Sequence, residues 1–248
     1  AASDVYKRQD LLAAMFEPRK TTYAKVTYTD VAGLQKGAGE SGGLSGPLLN
    51  HLGGLDGFLH VVRAFENDHA PHPEGTVDAE RDLQTLDTEL LLSDLVVVET
   101  RMERLQEGLQ KGALKDRATA QEELSLFERL HESLSQEQPL RQLDLTESEL
   151  KSLRGYGFLT LKPVLVVINI GDEQEEVEID YETRNSVIVN LRGKLEAELA
   201  QLEGDDLDLF MAEYGVEERG LARIVALSYD LLGLHSFFTV GEDEVRAW

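Results

Sequence analysis

Asp30 is the residue best placed to do chemistry. It ends an alternating run, Lys25-Val-Thr-Tyr-Thr, and opens Asp30-Val-Ala-Gly-Leu-Gln-Lys. The run predicts a strand over Lys25–Asp30 with a carboxylate at its carboxyl end. Six glycines follow between Gly33 and Gly46. Backbone without Cβ atoms approaches a ligand closely and changes conformation easily. A carboxylate followed by such a loop suits the sensing of a phosphate and its Mg²⁺. A second polar residue, Asn169, closes the apolar run Pro163-Val-Leu-Val-Val-Ile. It too stands at the carboxyl end of a predicted strand.

These residues need a scaffold. The continuous β-branched run before Asn169 reads as a strand buried on both faces, as in a parallel sheet. Phe58 to Phe65 reads as another buried strand, and Ser186–Leu191 and Phe237–Val240 as two more. Between them, apolar residues at three- and four-residue spacing predict helices. One starts near Asp10 and stops at Pro18. A long one carries Leu83, Leu86, Leu90 and Val97 and runs toward Gly108. A third, about 115–134, carries Leu124, Phe127, Leu130 and Leu134. The two long helices, joined at Lys111-Gly112, predict an αα-hairpin. Thr146-Glu-Ser-Glu149 has capping-box form and predicts a further helix start. Strands alternating with helices imply an α/β fold.

Composition narrows the function. The chain has 248 residues, 42% hydrophobic and 29% charged, with no Cys and a formal net charge of −23. Without cysteine there is neither disulfide nor thiolate metal site, which fits a cytoplasmic protein. The acidic balance weighs against broad electrostatic binding to nucleic acid, and no direct DNA binding is expected. The run Asp172-Glu-Gln-Glu-Glu-Val-Glu-Ile-Asp180 reads as a solvated loop. No apolar run approaches the roughly 18–20 residues that span a bilayer, so no membrane partner is expected.

Several segments recur together in one family. They are Asp30-Val-Ala-Gly-Leu with its glycine-rich loop, His60-Val-Val-Arg-Ala-Phe-Glu-Asn-Asp68, Thr88-Glu-Leu-Leu-Leu-Ser-Asp-Leu95, Leu159-Thr-Leu-Lys-Pro-Val164, Asn169, and Phe237-Phe-Thr-Val-Gly-Glu-Asp-Glu-Val-Arg-Ala-Trp248. From about Asp10 to Trp248 the chain resembles the YchF/Obg-like ATPases, a branch of the Obg-related P-loop NTPases.

The resemblance implies a Ras-like G domain with an inserted helical hairpin. Residues 10–99 would form its first part, 100–158 the insertion, 159–235 the base-binding part, and 236–248 the start of a TGS domain. It implies ATP or GTP as substrate, Mg²⁺ as cofactor and the ribosome or its large subunit as partner. Asp30 then matches the residue that holds Mg²⁺ through water, and the Gly33 N–H faces the γ-phosphate. Leu34 takes the position of the usual water-orienting glutamine, a role a leucine cannot fill. His72 aligns with a histidine proposed to aid hydrolysis, and an imidazole is a side chain suited to proton transfer near neutral pH.

Asn169-Ile-Gly-Asp172 stands where ordinary GTPases carry Asn-Lys-x-Asp and this family Asn-x-x-Glu. Asp172, or Glu173 beside it, would face the base. Arg192 and Gly193 replace the first two residues of the next base-contacting segment. The Asp for Glu exchange leaves ATP against GTP preference open.

The 248 residues contain no Gly-x-x-x-x-Gly-Lys-Ser/Thr. In the family that P-loop precedes the helix beginning here near Asp10, and its strand lies centrally, between those ending at Asp30 and Arg63. The expectation is a fragment that lacks the P-loop and most of the TGS domain and is inactive alone. The rival expectations are a non-catalytic helical interaction module and a GTP-specific Obg-type switch.

Overall fold

The computed structural model describes residues 2–23, 25–31, 46–112, 116–181, 183–216, 218–235 and 237–247, with the side chains of 2–7 and 205 outside the description. In chain order the elements are α1 (Ala2–Phe16), β1 (Lys20–Thr22), α2 (Gly46–Gly53), β2 (Phe58–Arg63), α3 (Ala79–Lys111), α4 (Arg117–Ser135), α5 (Glu147–Leu153), β3 (Val164–Asn169), β4 (Ser186–Leu191), α6 (Gly193–Leu199), α7 (Gly204–Glu213), α8 (Gly220–Leu231), β5 (Phe238–Val240) and β6 (Glu244–Ala247).

β3 is the centre of a parallel sheet ordered β2-β3-β4. Its residues Val164 to Ile168 are all buried, which is why the run is apolar without alternation. One face packs under α3 through Val62, Ala64, Ala79, Leu83, Val166 and Ile168. The other packs under α8, with Leu165, Val167 and Val189 against Ile224, Leu227 and Leu231. The register places Arg63 beside Asn169 and Asn169 beside Leu191. Three strands therefore end level, and their carboxyl ends form one rim.

The hairpin is built as its spacing predicts. Asp78 caps α3 by accepting from the Arg81 N–H, and Asp116 caps α4 by accepting from the Thr119 N–H. Gly112 ends α3 at φ 63°, a conformation that strains any residue with a Cβ. Phe127, Leu130, Val98 and Leu140 pack between the helices with almost no exposure. α5 begins at the predicted capping box of Thr146 and Glu149.

One buried carboxylate joins the hairpin to the sheet. Asp94, on α3, accepts from the Leu159 N–H (2.9 Å), the Thr160 N–H (2.8 Å) and the Thr160 hydroxyl (2.7 Å). Thr160 Oγ1 accepts in turn from the Leu140 N–H, and the Thr160 carbonyl accepts from the Arg141 N–H. Burial of Asp94 outweighs its three donors and leaves its carboxyl above its ordinary pKa. Two residues later, the Lys162 ammonium donates to the Gly53 and Leu55 carbonyls, closing the end of α2.

The strand predicted over Lys25–Asp30 does not form. Residues 25–31 are joined to neither sheet, and the strand of this region is β1, five residues earlier. Alternation alone makes no strand without a ladder partner, and residues 20–22 find one in β6. The second sheet, ordered β1-β6-β5, is held to α1 by Gln9, whose amide donates to the Thr22 and Val245 carbonyls. The first helix starts at Ala2 rather than near Asp10. Residues 244–246 thus pair with residues 20–22, near the start of the chain.

Two predictions follow from this packing. Asp94→Ala leaves buried N–H groups unpartnered, so urea unfolding at neutral pH is expected to show a loss of about 2–5 kcal/mol. A loss under about 0.5 kcal/mol would contradict the role assigned to it.

His60 shares the α3 face of β2, and its burial pushes its pKa down to about 4, against a smaller opposite pull from Asp82. The folded state therefore holds the neutral ring. Its contribution is complete above the unfolded pKa of about 6.5 and is lost as pH falls from there toward the folded value. His60→Leu should flatten the fall in stability between those two pH values by about one proton. Unfolding midpoints at pH 7 and pH 5 for both proteins check it.

Candidate nucleotide-base site

The rim at the carboxyl ends of β3 and β4 gathers four of the residues singled out in the sequence. Asn169 ends β3, and its Oδ1 accepts from the Gly193 N–H at 3.0 Å. A Cβ at Gly193 would lie 2.7 Å from that oxygen, so glycine is what lets α6 start against the asparagine. Asp172 follows in a turn closed by Gln174, whose side-chain oxygen accepts from the Gly171 N–H. Arg192 Nη2 donates to the Gln174 carbonyl at 3.2 Å. Lys194 Nζ reaches Asp172 Oδ2 at 3.0 Å. The segments 169–174 and 192–194 are therefore one bonded unit.

Two polar atoms of this unit are buried without a hydrogen-bond partner: Asp172 Oδ1 and Arg192 Nε. Glu173, the alternative to Asp172, is exposed. The next helices lock onto the unit through Glu196, whose Oε1 accepts from the Gly220 N–H at the start of α8 (2.7 Å).

His72 lies apart from this rim, in the loop between β2 and α3. Its Nε2 donates to Asp82 Oδ2 at 2.9 Å, and its Nδ1 accepts from the Glu74 N–H at 3.2 Å. The ring is 10% exposed. Both nitrogens are thus engaged in folding the loop onto α3, and Asp82 is shared with Arg81. His69 is exposed, its N–H on Asn67 Oδ1.

Sequence reasoning missed Arg63. Its Nε donates to the Phe65 carbonyl (2.9 Å) and its Nη1 to the Ala70 carbonyl (2.7 Å), with the guanidinium over the Phe65 ring. It clamps the His72 loop to the end of β2. The available signal was a cation at the end of an otherwise apolar strand. Lys194 closes the segment that begins at Arg192, and its bond to Asp172 was not foreseen from the sequence.

Asp30 is exposed in a segment without regular secondary structure. That segment is fixed at Tyr28, whose hydroxyl donates to Ser228 on α8, and at Val31, which packs near Leu52, Leu90 and Leu159. Gly33 and Leu34 lie outside the described residues. Among the described residues no three acidic or histidine side chains converge on a metal position, and no helix is long and apolar enough to cross a membrane.

No protein-family model matches the chain. Individual relatives do. The ribosome-binding ATPase YchF of Bacillus subtilis is 36% identical over 251 residues, covering 97% of this chain and 68% of that protein. The protein of the same name from Escherichia coli O157:H7 is 36% identical over 248 residues, covering 97% and 67%. The Obg-like ATPase 1 of Caenorhabditis elegans is 31% identical, covering 97% and 63%. Among solved structures, the YchF GTPase of Schizosaccharomyces pombe superposes with a TM-score of 0.82 at 29% identity, covering 98% of this chain and 67% of that one. With this identity along nearly its whole length, the chain belongs to the YchF/Obg-like ATPase family.

Proposed function

We propose that the chain works in Mg²⁺-dependent hydrolysis of ATP or GTP by a cytoplasmic, ribosome-associated P-loop NTPase, and that its rim of Asn169, Asp172, Arg192 and Gly193 holds the base. The observation that carries this reading is the bond from Gly193 to Asn169. It joins the segments after two neighbouring parallel strands, and in an open α/β sheet a ligand binds beyond such carboxyl ends. In this reading residues 10–99 and 159–235 are the two parts of a Ras-like G domain, 100–158 the insertion, and 236–248 the start of a TGS domain.

The free side of β2 supports it. The Phe58 and Ala64 N–H groups point to β3, so residues 59, 61 and 63 aim theirs the other way. Among the described residues no strand pairs there. On the same strand Leu59 is 38% and Val61 58% exposed, on the face that α8 covers over β3 and β4. An apolar strand leading into a phosphate-binding loop fits that edge. The 248 residues contain no Gly-x-x-x-x-Gly-Lys-Ser/Thr, and such a loop supplies most phosphate-binding N–H groups and the lysine.

Asp30 suits Mg²⁺, a hard cation that commonly takes one or two carboxylates and completes its shell with water and substrate phosphates. Bound there, the ion would neutralise charge on the phosphates. Gly33 would donate its N–H to the terminal phosphate. Leu34 leaves the orienting of water to another group, and His72, itself oriented by Asp82, is the candidate. It would act through Nδ1 after the Glu74 N–H is released.

Titration calorimetry of the 248-residue chain with Mg·ATP and Mg·GTP is expected to show no submicromolar binding, since the phosphate cradle is not within it. A submicromolar affinity would overturn that part of the proposal. In the chain joined to a P-loop segment ahead of α1, His72→Ala is expected to lower turnover by roughly 10²-fold. Turnover unchanged by the substitution would remove His72 from the mechanism.

A further inference from the structure

We propose that Lys194 sets the base preference of the site, by sharing the carboxylate of Asp172 and so keeping it from selecting guanine. The inference rests on the base-site reading above and adds a residue to it.

The carboxylate of Asp172 has two unequal oxygens. Oδ1 is buried and meets no donor. The side chain is 28% exposed, and Oδ2 lies 3.0 Å from the Lys194 ammonium. The bonded oxygen is therefore the one a base can reach. The lysine is not there by chance of rotamer alone. Its backbone follows Gly193, which Asn169 fixes, and its stem rises from the first turn of α6. Glu198, one turn on, is its second partner at 3.8 Å. Arg192, the neighbouring cation, points instead to the Gln174 carbonyl.

The chemistry of the two bases gives the direction. Guanine presents two donors on one edge, N1–H and the N2 amino group, and a bare carboxylate accepts both. Adenine presents an acceptor, N1, beside the N6 amino donor, and a bare carboxylate repels the N1 lone pair. An ammonium beside the carboxylate changes this. It donates to adenine N1 while the carboxylate accepts from N6, and it meets guanine N1–H with a like donor. The pair thus admits adenine at a position where Asp172 alone would choose guanine.

The base subsite lies wholly within the described residues, so the chain itself serves for the test. Backbone amide NMR at Gly193 and Gly171 is followed during titration with GMP and, separately, AMP at millimolar concentration. Lys194→Met is expected to raise the GMP to AMP affinity ratio roughly tenfold. Lys194→Arg should keep the original ratio, and Asp172→Asn added to Lys194→Met should abolish the gain. Lys194 is 76% exposed, so its replacements leave the fold intact, and Asp172→Asn keeps the size of the side chain. If the Gly193 amide responds to both nucleotides but Lys194→Met leaves the ratio unchanged, the inference falls and the base site stands. If neither nucleotide moves that amide, the base site falls and takes the inference with it.

Discussion

The rest of the structure depends on how Asp94 receives the chain as it leaves the hairpin. A carboxylate with 2% exposure would be costly in an apolar interior. It is tolerated because two backbone N–H groups and a hydroxyl converge on it within 2.9 Å. The same residues then serve the neighbours. Thr160 ties down Leu140 and Arg141, and Arg141 passes to the hydroxyl of Tyr181 at 2.9 Å. That tyrosine is held well above its ordinary pKa, by its burial first. The root of the hairpin, the entry to β3 and the far end of the loop that follows β3 are thereby one hydrogen-bonded body. β3 enters the sheet at a fixed height, and Asn169 arrives at the rim in register.

Much of this was legible, for identifiable reasons. The run ending at Asn169 read as a strand buried on both faces because it is β-branched and does not alternate. The hairpin followed from helical spacing and from Gly112, whose left-handed conformation ends α3. The capping box of Thr146 and Glu149 is local chemistry, readable within four residues. The Lys25–Asp30 strand was misread because its alternation is local while strand formation is not. Its partner is a question of topology, and β1 was found by β6 from more than 200 residues away. The role of Asp94 in Leu-Ser-Asp-Leu was not legible, since nothing nearby in sequence reveals the donors at 159 and 160.

The site was half visible. Asn169 was named from its place at a strand end, Asp172, Arg192 and Gly193 from the family resemblance, and the fold brings the four together. What spacing could not supply was the bonding among them: the contact that demands glycine at 193, and the lysine that claims one oxygen of Asp172. That lysine was not assigned a side-chain role, because its partner lies 22 residues earlier and the pairing is a matter of tertiary structure. His72 shows the converse. Its type and position fit proton transfer, yet both ring nitrogens are spent on Asp82 and Glu74, so folding the loop is the work it does in this conformation.

The proposed function stands or falls with a nucleotide base at the rim formed by segments 169–174 and 192–194. Photo-crosslinking with 8-azido-ATP and 8-azido-GTP at saturating concentration, followed by peptide mapping, tests it most directly. Label is expected in those two segments, lost on competition with unmodified nucleotide. Competed label confined to the α3–α4 hairpin or to the β1-β6-β5 sheet would contradict it.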